Sequence, residues 1–572
     1  MAEDFDCGHF CGPCFVGFHS CQWIDSKKAR VSKGCDGFWF TLTVFTFLFT
    51  LAWLYILLIT LNDFHNFNEQ IFRNHGVWMD WSLIFLILAS TLVTYSSLLL
   101  LLSLGLILCR KSLNLHWFHK ILLVVTAVIV AACVVSLDFK WKEEWAAVYV
   151  SLQATAPFLH IAAVAGVTLL AWVIASFFFH TEEKALRVFV LLLYLCVVIT
   201  LYLLPLLICS PCIMESSHLP PKPHLIGHRG APMVAPENTM MSFEKMVACD
   251  AYAFESDVRV SSDGFPFLMH DETLYRTTNV ATVFPDREQE DSSSFTWAEL
   301  QQLDAGTWFL QKQPFPAART LSGKDKEEVG KQKIPALSEL LEAAGTRNMS
   351  VIFDLRAPPK SHNYSETFVN VTLETILKSN ISQELILWLP DEFREDVVRQ
   401  APGFQQIYGC KRQNDTEPLK RVNLSYKNMS IEEIRVYQKD VKVNLYVVDK
   451  PWLFSMLWCA GVDSVTTNAC HILQQLKKPS WLIPPDTYQM IWIVIDCISF
   501  TVILWAFILQ RLRDSCFADA DTQHSGVTFL QASWRFQLTS QQQRICSLGL
   551  QRSTTLLLSP FANGTTWCLL ND

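Results

Sequence analysis

The stretch Phe254-Glu255-Ser256-Asp257-Val258 decides how the middle of this chain folds. It lies within Ala251–Val258, an apolar run of strand length that carries two carboxylates at alternate positions. Because side chains alternate between the two faces of a strand, Glu255 and Asp257 point to the same side. The run therefore predicts a β-strand with both acidic side chains on one face.

Short runs of the same kind recur along residues 210–486, with helix-like stretches such as Thr239–Ala248 between them. The other predicted strands are His224–His228, Pro266–His270, Ser350–Arg356, Glu384–Leu389, Gln405–Tyr408, Val443–Val448 and Val462–Thr466. Strands that alternate with helices in this way predict an α/β fold, a (β/α)8 TIM barrel. An open, doubly wound sheet is the alternative. The polar segment Thr277–Gly330 is predicted to be an insertion between strands three and four.

Ionisable side chains collect at the predicted strand ends. His228 ends the first strand, His270 ends the third, and Asp354 and Arg356 lie two residues apart on the fourth. The C-terminal strand ends of such a barrel carry its chemistry, so these groups are expected to converge on the two carboxylates of strand two. Taken singly, a strand-end histidine is usually a structural residue, and a Glu-X-Asp pair is usually a solvated strand face.

Two inward carboxylates on one strand repel each other and need compensation. A divalent cation supplies it, and a ligand set made of oxygens selects hard Mg2+ or Ca2+ over zinc. The combination of groups therefore predicts a divalent-metal site, with Ca2+ preferred to Mg2+, rather than a set of unrelated residues.

The composition indicates a second part of the chain that is embedded in a membrane. Of the 572 residues, 51% are apolar and 17% are charged, whereas about 25% are charged in a typical soluble domain. The apolar residues form six runs long enough to span a bilayer. These runs are Phe38–Thr60, Ser82–Cys109, Ile121–Leu137, Gln153–Phe179, Val188–Cys209 and Tyr488–Leu509. A soluble single domain, a disordered chain and, with a net charge of −8, a nucleic-acid binder are excluded.

Charges in the loops orient these spans. Basic residues precede the first span and recur in alternate loops, which places both termini in the cytoplasm and residues 210–486 outside the cell. Seven glycosylation sequons begin in this outside segment, at Asn348, Asn363, Asn370, Asn380, Asn414, Asn423 and Asn428. The sequence therefore predicts a multi-pass protein of the plasma membrane with an extracellular catalytic domain.

The cysteines are divided between the two compartments. Five belong to the cytoplasmic N-terminus, where palmitoylation is predicted and a zinc knuckle is the alternative: Cys7, Cys11, Cys14, Cys21 and Cys35. Five others can form one or two disulfides outside the cell, with the connectivity left open: Cys212, Cys249, Cys410, Cys459 and Cys470.

These patterns divide the chain into five segments. They are a cysteine-rich N-terminus (1–37), five membrane helices (38–209), the extracellular barrel (210–487, with the insertion at about 277–330), a sixth membrane helix (488–509) and a cytoplasmic tail (510–572). No sequence pattern specifies an oligomeric state.

The motifs at the strand ends resemble the glycerophosphodiester phosphodiesterase family. They begin with His228-Arg229-Gly230, Pro236-Glu237-Asn238-Thr239, Phe254–Val258 and Met269-His270-Asp271, and continue with Leu303–Phe309, Ile334–Leu340 and Ala460–Thr467. The motifs follow the family's order across Leu225–Asn468. Six spans with the barrel between the last two are similar to the vertebrate membrane branch of that family.

The resemblance implies a role for each matching residue. His228 and His270 match two catalytic histidines, one of which takes a proton from the attacking oxygen while the other protonates the leaving alkoxide. Arg229 matches an arginine that grips the phosphate. Glu255 and Asp257 match ligands of a metal that acts as a Lewis acid. His270 is close enough to this pair in sequence to be a further metal ligand.

The chain departs from the family pattern at several positions. The family's Glu-X-Lys on strand four is Asp354-Leu355-Arg356, in which Asp354 can still bind the metal and Arg356 keeps the positive charge. The family's Trp-Thr-Val-Asn is Tyr446–Asp449, and its closing Thr-Asp is Thr467-Asn468. Because the histidines and paired carboxylates are kept, the departures imply altered substrate choice. Arg356 and Tyr446, together with Glu237, are the candidates for substrate binding.

The leading hypothesis is a metal-dependent ectoenzyme, a phosphoric diester hydrolase that converts glycerophosphoinositol to inositol phosphate and glycerol and affects cell differentiation and the cytoskeleton. Either water or a neighbouring substrate hydroxyl attacks the phosphorus. The alternatives are phospholipase-like release of glycosylphosphatidylinositol-anchored proteins and a non-catalytic membrane receptor or scaffold. A transporter is disfavoured because the spans hold few ionisable residues.

Overall fold

The computed structural model describes residues 17–21, 36–108, 113–410, 419–480 and 482–537, with only the backbone of 514–537. Cys7, Cys11, Cys14 and Cys35, the sequon at Asn414 and the tail beyond residue 537 lie outside the described residues. The chain divides into two compact units. The first comprises residues up to 166 and 196–497, and the second comprises 167–195 and the residues from 498 onward.

Six helices of the described chain are long and apolar enough to cross a membrane, as the sequence predicts. Their bounds are Asp36–Thr60, Trp81–Leu108, Trp117–Lys140, Glu144–His180, Lys184–Leu203 and Pro485–Gln537. Hydroxyl groups join neighbouring spans: in the first unit Thr50 Oγ1 lies 2.9 Å from Ser96 Oγ, and in the second Thr168 Oγ1 lies 2.6 Å from Ser499 Oγ. Such contacts replace the hydrophobic effect, which does not hold helices together in lipid.

A short helix, Phe64–His75, follows the first membrane helix and is called the loop helix below. Asp63 precedes it as N-cap and accepts a hydrogen bond from Asn66 N. Gly76 ends it with φ +70°, a left-handed conformation that favours glycine. The loop helix therefore has its own start and stop signals and is not merely an extension of the first span.

The described residues of 210–487 contain nine strands. Their bounds are β1 His224–His228, β2 Ala253–Val260, β3 Pro266–Leu268, β4 Ser350–Leu355, β5 Ile386–Trp388, β6 Gln405–Gln406, β7 Arg421–Ser425, β8 Lys442–Tyr446 and β9 Ser464–Thr467. Eight of them pair in parallel in the order β6-β5-β4-β2-β1-β9-β8-β7, and a parallel bridge from Tyr408 to Val422 joins the two ends. The sheet thus closes into the predicted (β/α)8 barrel, and the open-sheet alternative is wrong.

Two strand predictions need correction. The segment Pro266–His270 is predicted to be one of the eight parallel barrel strands. In the structure β3 instead pairs antiparallel with the C-terminal end of β2, as the second strand of a hairpin. The eighth parallel strand of the barrel is instead β7, which the sequence patterns do not predict. Its Asn423 points into the barrel, where Asn444 Nδ2 donates to its side-chain oxygen at 2.6 Å. A polar inward residue broke the apolar pattern by which the other strands were recognised.

The barrel core explains why these segments form strands and helices. Apolar side chains fill the barrel interior at its closed end, namely Ile226, Ala253, Ile352, Leu387 and Ile407. β2 is buried along its whole length, as expected for a parallel strand that is covered on both faces. The outer layer of α-helices comprises Met240–Val247, Leu337–Thr346, Phe368–Lys378, Arg394–Gln400, Ile431–Tyr437, Pro451–Ala460 and Cys470–Leu473.

The predicted insertion lies between β3 and β4. It is built from short α-helices with bounds Val280–Val283, Trp297–Leu300, Thr307–Lys312 and Gly323–Val329. Two small apolar clusters, which include Phe295 and Phe309, pack the insertion against the rest of the barrel domain.

The structure also pairs the cysteines of residues 210–486 and shows which sequon asparagines are exposed. Disulfides join Cys212 to Cys459 and Cys249 to Cys470, and Cys410 is free. The exposed sequon asparagines are Asn348, Asn363, Asn370, Asn380 and Asn428. Asn423 is only 6% exposed inside β7, so the glycan predicted there is incompatible with the folded barrel.

Candidate functional site

The predicted ionisable residues meet at one end of the barrel. His228 is the last residue of β1, Glu255 and Asp257 lie in β2, and Asp354 lies in β4. The strand register sets His228 beside Glu255 and Asp257 beside Asp354. Parallel pairing thus brings together side chains that are far apart in the sequence, as the barrel prediction required.

Glu255, Asp257 and Asp354 form a group of three carboxylates suited to a metal ion. One oxygen of each lies within 4.8 Å of the others, and Glu255 and Asp257 are buried. Burial, reinforced by the negative charges of the other two carboxylates, raises the pKa of Glu255 well above its usual value. A divalent cation would offset this repulsion, and carboxylate oxygens are the ligands that hard ions prefer. The residues present therefore fit a divalent cation.

Basic groups balance part of this negative charge. Arg356 Nη2 lies 2.8 Å from Asp257 Oδ1 and 2.7 Å from Asp354 Oδ2. Burial alone would raise the pKa of Asp257, but nearby His270 and two guanidinium groups hold that pKa below its usual value. Arg356, a candidate for substrate binding, thus also orients two of the candidate metal ligands.

His228 is held by a chain of hydrogen bonds. Its Nδ1 lies 2.8 Å from Asn468 Oδ1, and Asn468 Nδ2 donates to Asp449 Oδ2 at 2.8 Å. An amide oxygen only accepts, so the proton sits on Nδ1 of His228. Burial, with the charge of Arg229, lowers the pKa of His228 to about 3. His228 is therefore neutral at neutral pH, with an unprotonated Nε2.

The same contacts explain two departures from the family pattern. The family has an amide at the position of Asp449 and a carboxylate at the position of Asn468, and here the two side chains are direct partners. Relative to the family pattern, the carboxylate and the amide of this hydrogen-bonded pair have exchanged positions: the carboxylate is now at Asp449 and the amide at Asn468. Of the two, Asn468 lines the open site and Asp449 is buried beneath it. The exchange leaves the histidine with a neutral partner.

His270 follows β3 and faces a different group of carboxylates. Its Nδ1 lies 2.7 Å from Asp271 Oδ1 and 3.5 Å from Glu69 Oε1. Among the described residues, His270 groups with these two and not with the three carboxylates of β2 and β4. The structure thus does not bring His270 into the metal group to which the sequence assigned it.

A buried network of ion pairs lies next to the histidines. Arg229 Nη1 donates to Glu237 Oε1 at 2.9 Å, and Arg276 donates to both oxygens of Glu237 and of Asp271. Burial alone would raise the pKa of Glu237, but Arg276 and Arg229 hold it well below its usual value. The sequence predicted that Glu237 binds substrate. The structure places it beneath Arg229 with both oxygens paired.

The open part of the site is a cavity of about 590 Å3, called the site cavity below. Its lining includes the predicted residues His228, Arg229, Glu255, Asp354, Arg356 and Tyr446. Tyr446 ends β8 and is 37% exposed, so it is available to a substrate. Glu69 of the loop helix lines the cavity as well.

Sequence reasoning missed Glu69, Arg73 and Arg276. Arg276 immediately precedes the predicted insertion, and no motif marks it. Glu69 and Arg73 lie between the first two spans and are four residues apart, a spacing at which acid and base meet on a helix. That spacing, in a loop on the same side of the membrane as the barrel, was a signal that could have identified them.

Comparison with known proteins agrees with the motifs. The profile of the glycerophosphoryl diester phosphodiesterase family matches residues 228–383, and a second profile of that family matches 442–469. The mouse protein named glycerophosphoinositol inositolphosphodiesterase is 55% identical over 89% of this chain and 95% of its own length. Human glycerophosphodiester phosphodiesterase domain-containing protein 5 is 43% identical over 88% of this chain and 84% of its own.

A solved structure of an Oleispira antarctica phosphodiesterase, in complex with the product sn-glycerol-3-phosphate, is also similar. It is 22% identical, with a TM-score of 0.36, and the match covers 45% of this chain and 96% of that chain.

Arg276→Leu is expected to lower the free energy of unfolding by about 3–5 kcal/mol, because it leaves the buried carboxylates of Glu237 and Asp271 without their main partner. Arg347→Ala is the matched control, since its ion pair with Glu244 is exposed and such pairs contribute about 0–1 kcal/mol. Chemical unfolding of the two purified full-length variants measures both effects. Equal stabilities would show that the buried network does not hold the site together.

Proposed function

The chain belongs to the glycerophosphoryl diester phosphodiesterase family, and we propose that it is a metal-dependent ectoenzyme that hydrolyses glycerophosphoinositol to inositol phosphate and glycerol. The chain is a phosphoric diester hydrolase by this membership, and the name of the mouse relative supports the choice of substrate. The observation that carries the proposal is the position of His228 at the same barrel end as the carboxylates of Glu255, Asp257 and Asp354.

In this proposal His228 is the base and His270 is the acid. Nε2 of His228 is unprotonated and takes the proton of the attacking water or substrate hydroxyl. Nδ1 of His270 faces the carboxylate of Asp271, which orients the ring. That ring gives its proton to the glycerol oxygen as the bond from this oxygen to phosphorus breaks. Arg229, fixed by Glu237, binds the phosphate oxygens.

Glu255, Asp257 and Asp354 would hold the divalent cation, and we propose Ca2+ in preference to Mg2+. When bound, such a cation polarises a phosphoryl oxygen and orients the diester. Arg356 and Tyr446 complete the binding surface for the part of the substrate beyond the phosphate, since both line the site cavity. The role in cell differentiation and the cytoskeleton is proposed on the resemblance alone.

The proposal includes an orientation at the plasma membrane. Residues 210–487 lie outside the cell, while 1–37 and 510–572 lie in the cytoplasm, with spans at 38–209 and 488–509 between them. Two disulfides in the barrel support this orientation, because such bonds persist in oxidising compartments. The exposure of five sequon asparagines supports it as well.

A second candidate substrate is a glycosylphosphatidylinositol-anchored protein, cleaved in a phospholipase-like reaction. It is favoured by a further cavity of about 750 Å3, which apolar residues of the membrane helices, among them Trp53, Ile56 and Phe85, line. This cavity shares four lining residues with the site cavity: Asp63, Asn66, Glu143 and Lys427. An amphiphile could place its apolar part among the helices and its phosphodiester near the carboxylates.

His228→Ala and Glu255→Ala are each expected to abolish hydrolysis of glycerophosphoinositol, because one variant lacks the base and the other lacks a metal ligand. EDTA is expected to stop the wild-type reaction, and added Ca2+ to restore it. Intact cells that express the full-length protein are incubated with a panel of glycerophosphodiesters, and the released products are identified by mass. The masses also show which ester bond is cleaved.

The control for these variants is His218→Ala, which removes an exposed histidine. Full activity of either site variant would refute the proposed mechanism. Release of a glycosylphosphatidylinositol-anchored reporter, without turnover of glycerophosphoinositol, would favour the second candidate.

Replacing Asn348 or Asn370 by Gln is expected to remove one glycan each from the mature protein, because both side chains are exposed on the barrel. Asn423→Gln is expected to remove none, since its side chain is buried. The measurement is the mobility of each variant before and after treatment with peptide N-glycosidase. If the wild-type protein carries no glycan, the barrel does not face the outside and the orientation is wrong.

A further inference from the structure

The loop helix is anchored to the barrel at its N-terminal end by a buried amide. Asn62, which is fully buried, donates from Nδ2 to Val447 O at 2.8 Å and accepts hydrogen bonds from Asp449 N and Lys450 N at 3.1 and 3.2 Å. These three backbone groups follow β8. The segment between the first two membrane helices is therefore tied to the same chain region that supports His228 through Asn468.

Aromatic contacts fix the rest of the loop helix. The rings of Phe64 and Phe315 pack edge to face with centroids 5.7 Å apart, and Phe72 stacks on Tyr275 at 6.0 Å. The helix is thus held against the insertion at its start and against Tyr275, just before the insertion, near its end. Its orientation is set by packing, and Glu69 points inward as a consequence.

Glu69 is 2% exposed and lies among the groups of the site. Its Oε1 is 3.5 Å from His270 Nδ1, and its Oε2 accepts from Arg229 Nη1 at 3.3 Å. A carboxylate is costly to bury, so a charge at this position persists only because basic partners surround it. Two of those partners, Arg229 and Arg276, belong to the barrel, whereas Glu69 and its third basic partner, Arg73, belong to a loop of the membrane part.

The contacts of His270 indicate a role for the negative charge of Glu69. Two groups lie close to Nδ1, Arg73 Nη2 at 3.2 Å and Asp271 Oδ1 at 2.7 Å. The ionised carboxylate is the nearer partner and accepts, so we assign the proton to Nδ1. The carboxylates of Asp271 and Glu69 then both face Nδ1, and His270 lines a neighbouring cavity that shares Arg356 with the site cavity. This is the way in which a carboxylate orients a catalytic imidazole.

Arg73 completes the arrangement. Its Nη2 contacts Glu69 and lies 3.0 Å from Asp271 Oδ1, so that one guanidinium bridges both carboxylates behind His270. Glu69, His270 and Asp271 are also close enough together to hold a metal ion. The guanidinium groups of Arg73, Arg229 and Arg276 surround these carboxylates. Three positive charges would repel a cation from this place.

We propose that Glu69 is a positioning residue for His270 and Arg229, so that the loop helix of the membrane part completes the active site of the barrel. This inference rests on the proposed hydrolysis of a glycerophosphodiester. It assigns to the segment 62–75 a function in turnover, in addition to that of connecting two membrane helices.

The experiment measures kcat and KM of the purified full-length protein for glycerophosphoinositol. Glu69→Gln keeps the shape of the side chain and removes its charge, and we expect kcat to fall by about 10- to 100-fold, as for other residues that orient a catalytic group. KM should change much less, because Glu69 is only 2% exposed and acts through His270 and Arg229. Glu69→Asp, which keeps the charge, should retain more activity than Glu69→Gln.

Two further variants make the result decisive. Arg73→Ala removes a side chain that is 47% exposed, so it is expected to fold, and it should lower kcat in the same direction. Asn74→Ala changes an exposed neighbour on the same helix and should leave kcat unchanged. If Glu69→Gln does not fold, Arg73→Ala alone decides the outcome.

Unchanged kcat in Glu69→Gln or, where that variant does not fold, in Arg73→Ala would overturn the inference. A loss of activity that only follows a lower unfolding temperature, with Glu69→Asp as impaired as Glu69→Gln, would also overturn it, since that is the result of a structural role. An inactive wild-type protein would refute the proposed function instead, and the two failures are therefore distinguishable.

Discussion

Mutual neutralisation of buried charges governs the catalytic end of the barrel. Arg276 lies between Glu237 and Asp271, and Arg229 shares Glu237 with it. No one of these charges is tolerable in the interior without the others. Each histidine of the site is adjacent in sequence to a member of this network, His228 to Arg229 and His270 to Asp271. The network therefore fixes the backbone on both sides of the reaction centre.

The membrane part of the chain enters the same network through the loop helix. Glu69 adds a third carboxylate beside Arg229 and Arg276, and Asn62 is bound to the backbone that follows β8. Asp449 links the two supports, since its N–H binds Asn62 while its side chain binds Asn468, the partner of His228. The membrane helices thus do more than hold the barrel at a surface: their connecting segment is packed into its active end.

The barrel was predictable because its strands are short apolar runs, and the site was predictable because its motifs lie at the ends of those runs. The failures have the same origin. β3 has the composition of a barrel strand, but the turn before it reverses the chain, so that β3 runs antiparallel to β2. β7 was overlooked because Asn423 faces the interior, where Asn444 satisfies it, and in the sequence it has the pattern of a glycosylated loop. Local patterns do not show which neighbour a polar side chain will meet.

The sequence by itself determined the six spans, the barrel and the main ionisable groups of the site, because each depends on the hydrophobicity or spacing of residues that are close together in the chain. Only the tertiary structure decided their partners. It placed Asn468 against Asp449, separated His270 from the three carboxylates of β2 and β4, buried Glu237 under two arginines and brought Glu69 to the site. Those pairings join segments up to about two hundred residues apart, and they arise from strand register and helix packing, which local sequence does not specify.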